Sequence, residues 1–207
     1  MVVIIDYNVG NVKSILNATN KIGLDAVLSR NILDIKNAEG IILPGVWSFP
    51  VAMDNLKKYN LINILNEIKD KEIPILGICL GMQILFEKGY EIEERKGLGY
   101  IKGNVKLINT NEKLPHMGWN ELYFNQKSLI TSNIKEREDV YFVHSYMADF
   151  VEDEVIAYTK YGNTKIPAIV GKGNVIGCQF HPEKSGDVGE RILKSWKEMV
   201  RCYFSQQ

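Results

Sequence analysis

Cysteine is scarce in this sequence. Three residues in a chain of 207 cannot all pair internally and make no dense disulfide framework, so a reducing compartment, the cytoplasm, is expected. Neither sign of charge is in excess, with Lys plus Arg 25 against Asp plus Glu 25, which leaves no positive field to condense on nucleic acid or an anionic membrane. Long hydrophobic runs are missing too: nothing approaches the roughly 20 apolar residues that cross a bilayer. Met1 to Asp6 lacks the basic n-region and long h-region of a signal peptide. No Cys, His and Asp residues cluster at metal-ligand spacing, so neither metal nor cofactor is expected. Internal repeats and Pro/Gly-rich linkers are likewise missing, which favours one domain over residues 1–207.

What is present is ordinary globular composition, 45% hydrophobic and 24% charged, enough for a substantial core. Val2 to Ile5 is wholly apolar and β-branched, the pattern of a strand buried on both faces. Asn11 to Ile22 carries Val12, Ile15, Leu16, Thr19 and Ile22 at helical spacing and stops at Gly23. Strands are predicted over Ala26 to Leu28, Gly40 to Leu43 and Ile73 to Ile78, with helical segments from about Val51 to Lys71. This alternation predicts an α/β domain with a central, largely parallel sheet flanked by helices. The second half changes character. Val105 to Ile108, Glu121 to Phe124, Val140 to Val143 and Val155 to Tyr158 read as short strands without helices between them, so antiparallel additions are expected. Lys165 to Gly171 and Asn174 to Gln179 read as a hairpin, and a last helix from about Gly186 points Val188, Ile192, Leu193, Trp196 and Val200 inward.

The sharpest local signal is Pro74-Ile75-Leu76-Gly77-Ile78-Cys79-Leu80-Gly81-Met82-Gln83, an apolar strand running into a Gly-flanked Cys and then a predicted helix over Leu80 to Phe86. Small neighbours at both flanks are what a nucleophile at a tight strand-to-helix turn requires, and a helix N-terminus beneath it favours thiolate. A buried structural Cys between two packing glycines fits the pattern equally well. A thiolate nucleophile also needs a base and a group to orient it. His181-Pro182-Glu183 supplies both, after another apolar run and therefore at another strand end, with alternation directing His181 and Glu183 to one side. Read alone, His181 fits a polar loop with a solvated Glu. His144, Cys178 and Cys202 read as packed residues.

Leu76 to Gln83, together with Gln179-Phe180-His181-Pro182-Glu183-Lys184-Ser185, resembles the class I glutamine amidotransferases. Asp6 to Asn11, Leu43-Pro44-Gly45-Val46, His116 to Asn120 and Tyr141 to Tyr146 resemble the branch that serves imidazole glycerol phosphate synthase in histidine biosynthesis. The resemblance implies hydrolysis of L-glutamine with Cys79 as acylated nucleophile, His181 as acid and base, and Glu183 holding His181. Oxyanion donors are expected from the Leu80 N–H and from the Gly45-Val46 loop, and glutamine contacts from Gln83 and Glu87. The implied partner is a (β/α)8 barrel synthase that takes the ammonia in a heterodimer, makes imidazole glycerol phosphate and AICAR, and is met by Asn11, Met117, Trp119, Tyr141 and Lys184. His116 is given a positioning or contact role. Trp47 departs from the family pattern, which has a Gly there. It leaves open another loop geometry, a simple outer lid, or a divergent paralogue that feeds another acceptor such as a sugar amidotransferase. A stand-alone γ-glutamyl hydrolase also remains open.

Overall fold

The computed structural model describes residues 1–205. In chain order it runs β1 (Val2–Ile5), α1 (Val12–Lys21), β2 (Ala26–Ser29), α2 (Ile32–Lys36), β3 (Gly40–Leu43), α3 (Phe49–Lys58), α4 (Leu61–Asp70), β4 (Ile75–Ile78) and α5 (Leu80–Gln83). The second half adds β5 (Phe86–Gly89), β6 (Arg95–Lys96), β7 (Ile101–Leu107), β8 (His116–Glu121), β9 (Tyr123–Phe124), β10 (Asp139–His144) and β11 (Tyr146–Ala148). It ends with β12 (Val155–Tyr161), β13 (Thr164–Lys172), β14 (Val175–Cys178) and α6 (Gly186–Ser205).

The main sheet has the order β2-β1-β3-β4-β14-β13-β12-β9, parallel from β2 to β14 and antiparallel beyond. Because side chains alternate across a strand, β1 feeds both faces. Val3 and Ile5 pack with Ile35 of α2, Phe49 and Leu56 of α3, and Leu61 and Leu65 of α4. Val2 and Ile4 pack with Ile15 of α1 and with Ile192, Leu193, Trp196 and Val200 of α6. Strands covered on both sides cannot alternate polar with apolar, which is why β1, β3 and β4 are buried throughout. The α/β architecture with antiparallel additions is as the sequence predicts. A ribbon of β8 and β10 and a four-stranded sheet β11-β7-β5-β6 stand beside the main sheet.

Two local expectations are corrected. The helix over Leu80 to Phe86 stops at Gln83, and Phe86 enters β5 instead. The carbonyls of Ile84 and Leu85 are taken by the N–H groups of Leu98, Tyr100 and Ile101, so they are not left for another helical turn. The predicted strand Glu121 to Phe124 is broken at Leu122, with β8 pairing β10 and β9 pairing β12.

Candidate active site

Cys79 and His181 meet because β4 and β14 are parallel neighbours. Ile78 lies opposite Cys178, and the Cys79 N–H donates to the Cys178 carbonyl at 2.7 Å. Both chains therefore leave the sheet at its carboxyl edge, where open α/β sheets gather their chemistry. Cys79 itself sits at φ 55°, ψ −111°, a backbone state that costs an L residue of order 1–3 kcal/mol and persists only where the surroundings impose it. They do so through contact. A Cβ on Gly81 would lie 1.8 Å from the Leu43 carbonyl oxygen, and one on Gly77 would lie 2.5 Å from the Gly81 oxygen. The turn can close only with glycine at both flanks.

His181 is 1% exposed and its Nδ1 lies 2.7 Å from Glu183 Oε1. Asn11 Nδ2 donates to the same carboxylate oxygen. The acceptor at Nδ1 puts a proton there and leaves Nε2, which has no protein hydrogen-bond partner, for the Cys79 side. Burial alone would lower the His181 pKa, but its contacts with Cys79 and Glu183, hydrogen bonding ahead of charge, outweigh it and push it up to about 9. His181 is thus poised as imidazolium at neutral pH, facing the Cys79 sulfur. The His181 backbone is fixed as well: its N–H donates to the Tyr141 carbonyl at 3.0 Å, and the Ser185 hydroxyl donates to its carbonyl at 2.7 Å.

A cleft of about 540 Å³ opens over these groups, a volume suited to a small polar ligand. Cys79, Leu80, Gln83, His181, Asn11, Lys184 and Glu91 line it, with Val46, Trp47 and Val143 to Tyr146. Leu80 opens α5, so its N–H is one of the donors a helix start leaves unused. The helix is a single turn, and its end offers a thiolate less than the longer predicted helix would.

Several sequence-predicted residues lie elsewhere. Glu87 is exposed on β5, accepts from the Gly103 N–H, and does not line the cleft. The chain enters β5 at Phe86, so Glu87 stands on a strand and not on the helix that carries Gln83. Glu91, which the sequence analysis missed, lines the cleft and accepts from the Phe49 N–H at 2.8 Å. Its turn after β5 carries no recognisable motif. The Val46 N–H donates to the Val9 carbonyl at 3.1 Å and is turned from the reacting groups, while Gly45 packs on Leu80. The Tyr7 hydroxyl, completely buried, donates to the Pro44 carbonyl and pins the loop. Burial and the Cys79 charge hold that phenol well above its usual range. Trp47 is exposed and avoids the left-handed region. Asn11 and Lys184 line the cleft, whereas Met117 and Trp119 stand exposed on the β8–β10 ribbon, with Trp119 edge-on to Tyr141 at 5.9 Å.

Residues 3–197 match the family model for Glutamine amidotransferase class-I. The chain belongs to this family. Among class-I relatives, the imidazole glycerol phosphate synthase subunit HisH of Lactococcus lactis subsp. lactis is 58% identical over 199 residues, 96% of this chain and 98% of that one. The subunit HisH of Bacillus cereus is 42% identical over 207 residues, covering 100% and 99%. A crystal structure of a glutamine amidotransferase superposes with TM-score 0.77 at 18% identity, covering 97% of this chain and 100% of that one. The structure of PurLQS from Thermotoga maritima gives TM-score 0.74 at 22% identity, covering 96% and 98%. At these identities the two solved structures speak for the amidotransferase fold alone. No helix among the described residues is long and apolar enough to cross a membrane.

Proposed function

We propose that this class-I amidotransferase is the glutaminase subunit of an imidazole glycerol phosphate synthase, one domain over residues 1–207 working in the cytoplasm. It hydrolyses L-glutamine and passes the ammonia to a (β/α)8 synthase partner in histidine biosynthesis. The observation that carries the chemistry is the cleft shared by Cys79 and His181, whose Nδ1 is held by Glu183. Cys79 Sγ attacks the side-chain amide carbon of glutamine, and the charge that builds on oxygen is met by the Leu80 N–H. His181 gives its Nε2 proton to the departing ammonia, leaving a γ-glutamyl thioester. It then takes a proton from water, which attacks the thioester and frees glutamate. Glu183, tied down by Asn11, keeps the imidazole in register throughout. The Gln83 amide spends its NH₂ on protein acceptors and has its oxygen for substrate. The Glu91 carboxylate, rather than Glu87, is placed to take the α-ammonium group.

The pathway reading is supported by the relatives named HisH. The partner reading is supported by the exposed Met117 and Trp119 on a ribbon whose strand β10 also holds His181. Asn11 and Lys184 belong to the cleft, where the mouth would open onto the barrel. The decisive experiment is Cys79→Ala. Glutamate release should vanish while the circular dichroism spectrum is unchanged, and a glutamine-like electrophile should label Cys79 in the unmodified chain. Labelling should spare Cys178, whose thiol burial keeps protonated. Normal turnover by the Ala variant would remove the covalent mechanism.

A further inference from the structure

Behind Cys79 lies a buried polar side chain that the mechanism above does not use. Gln179 follows β14 directly, is fully buried, and has its backbone fixed by an N–H···O bond of 2.9 Å to the Ala168 carbonyl. Its Nε2 is 3.9 Å from Cys79 Sγ, and its Oε1 accepts from Gln83 Nε2 at 3.0 Å. Gln83 Nε2 also donates to the Tyr146 carbonyl at 3.0 Å. That carbonyl accepts from His144 Nδ1 at 2.7 Å as well.

The chain of bonds has a direction. A carbonyl oxygen can only accept, so the Gln83 atoms facing Tyr146 must be its NH₂. The same NH₂ reaches Gln179, so Gln179 presents oxygen to Gln83 and its own NH₂ to the sulfur. Reversing Gln83 would set its oxygen against the oxygens of Tyr146 and Gln179, and reversing Gln179 would set one NH₂ against the other, in a dry site. Both Gln83 donors are then used, and its oxygen alone remains for the cleft. Besides His181, the sulfur has the Val143 carbonyl oxygen at 3.9 Å, which can accept from a thiol but only repels a thiolate. An N–H opposite it favours the charged, attacking form.

We infer that Gln179 is a positioning residue for glutamine hydrolysis: it locks the Gln83 amide with its oxygen toward substrate and turns an N–H on the Cys79 sulfur. The inference rests on Cys79 being the nucleophile. Gln179→Met keeps the volume and removes both bonds. Its kcat should fall about tenfold, the equivalent of about 1.4 kcal/mol, and its KM should rise. Alkylation of Cys79 by iodoacetamide at pH 7 should slow by a similar factor, while alkylation of the exposed Cys202 should not change. Gln179→Asn retains a buried amide but withdraws it by one methylene, so it separates positioning from packing and should show the same losses. Either variant with the native circular dichroism spectrum, and with kcat, KM and alkylation rate all unchanged from the parent chain, would overturn the inference. Activity surviving in Cys79→Ala would instead sink the nucleophile assignment, so the two failures are distinguishable.

Discussion

His181 holds its raised pKa against burial through its contacts with Cys79 and Glu183. Removing Cys79 leaves burial, which disfavours the imidazolium, opposed by Glu183 alone. The ring should therefore titrate near 9 in the intact chain and at lower pH in Cys79→Ala, as read from its imidazole proton shifts by NMR. The sign of the linked stability follows. A folded-state value of about 9 lies above the ordinary 6.5, so this group's contribution is fully present below 6.5 and is lost as pH rises through about 9. Hydrolysis should fall on the same alkaline limb, since the ammonia then leaves without a proton donor. An identical His181 titration in both proteins would show that Cys79 is not its partner. Residues of this kind were legible in the sequence because Cys79 and His181 stand in short motifs with a chemical reason. Glu91 and Tyr7 were not, because a carboxylate in an irregular turn and a tyrosine hydroxyl under a loop acquire meaning only from what the fold brings against them.

At the scale of elements, the strands buried on both faces were read from their unbroken apolar runs, and β1 and β3 have the bounds the sequence predicts. The segment after Cys79 was misread because Leu80 to Phe86 is apolar but for Gln83 and buried throughout, and periodicity cannot separate a buried helix from a helix turn that feeds a strand. The competing hydrogen bonds come from residues 98–101, distant in sequence and invisible to a local pattern. What the local pattern did capture is the glycine requirement. Gly81→Ala would drive a methyl into the Leu43 carbonyl of the adjacent strand β3, and backbone at the centre of a sheet cannot step aside. A destabilisation of about 3 kcal/mol, at the upper end of overpacking penalties, is expected in urea unfolding, with the strained Cys79 turn relaxing and hydrolysis lost. Stability within error of the parent chain would mean that the turn is softer than its contacts imply.

For the whole molecule, the proposed mechanism puts its gate at the loop over Pro44 to Val46. At rest its Val46 N–H is bonded to Val9, which leaves the Leu80 N–H as the proposed donor to a tetrahedral oxyanion. A missing oxyanion donor costs about 10²- to 10³-fold in kcat, or about 3–4 kcal/mol. That is enough to keep an isolated glutaminase nearly silent, which suits a reaction whose product is lost to solvent when no acceptor is ready. A barrel partner seated on Trp119 and Tyr141 would press on β10, whose Tyr141 carbonyl holds the His181 backbone, and on the cleft mouth at Lys184 and Trp47. It activates only to the extent that it prefers the turned loop. The purified chain should therefore hydrolyse glutamine slowly, and the synthase partner carrying its own ligand should raise kcat far more than it lowers KM. Trp47 bears on the size of this effect. Its backbone lies outside the left-handed region at rest, and a peptide flip beside it would carry a bulky residue toward that region, at a cost glycine does not meet. Trp47→Gly should accordingly increase the stimulation by the partner, whereas unchanged stimulation would mean that the indole only roofs the loop. Full activity in the chain alone, unaffected by any barrel, would defeat the gate and leave a stand-alone hydrolase.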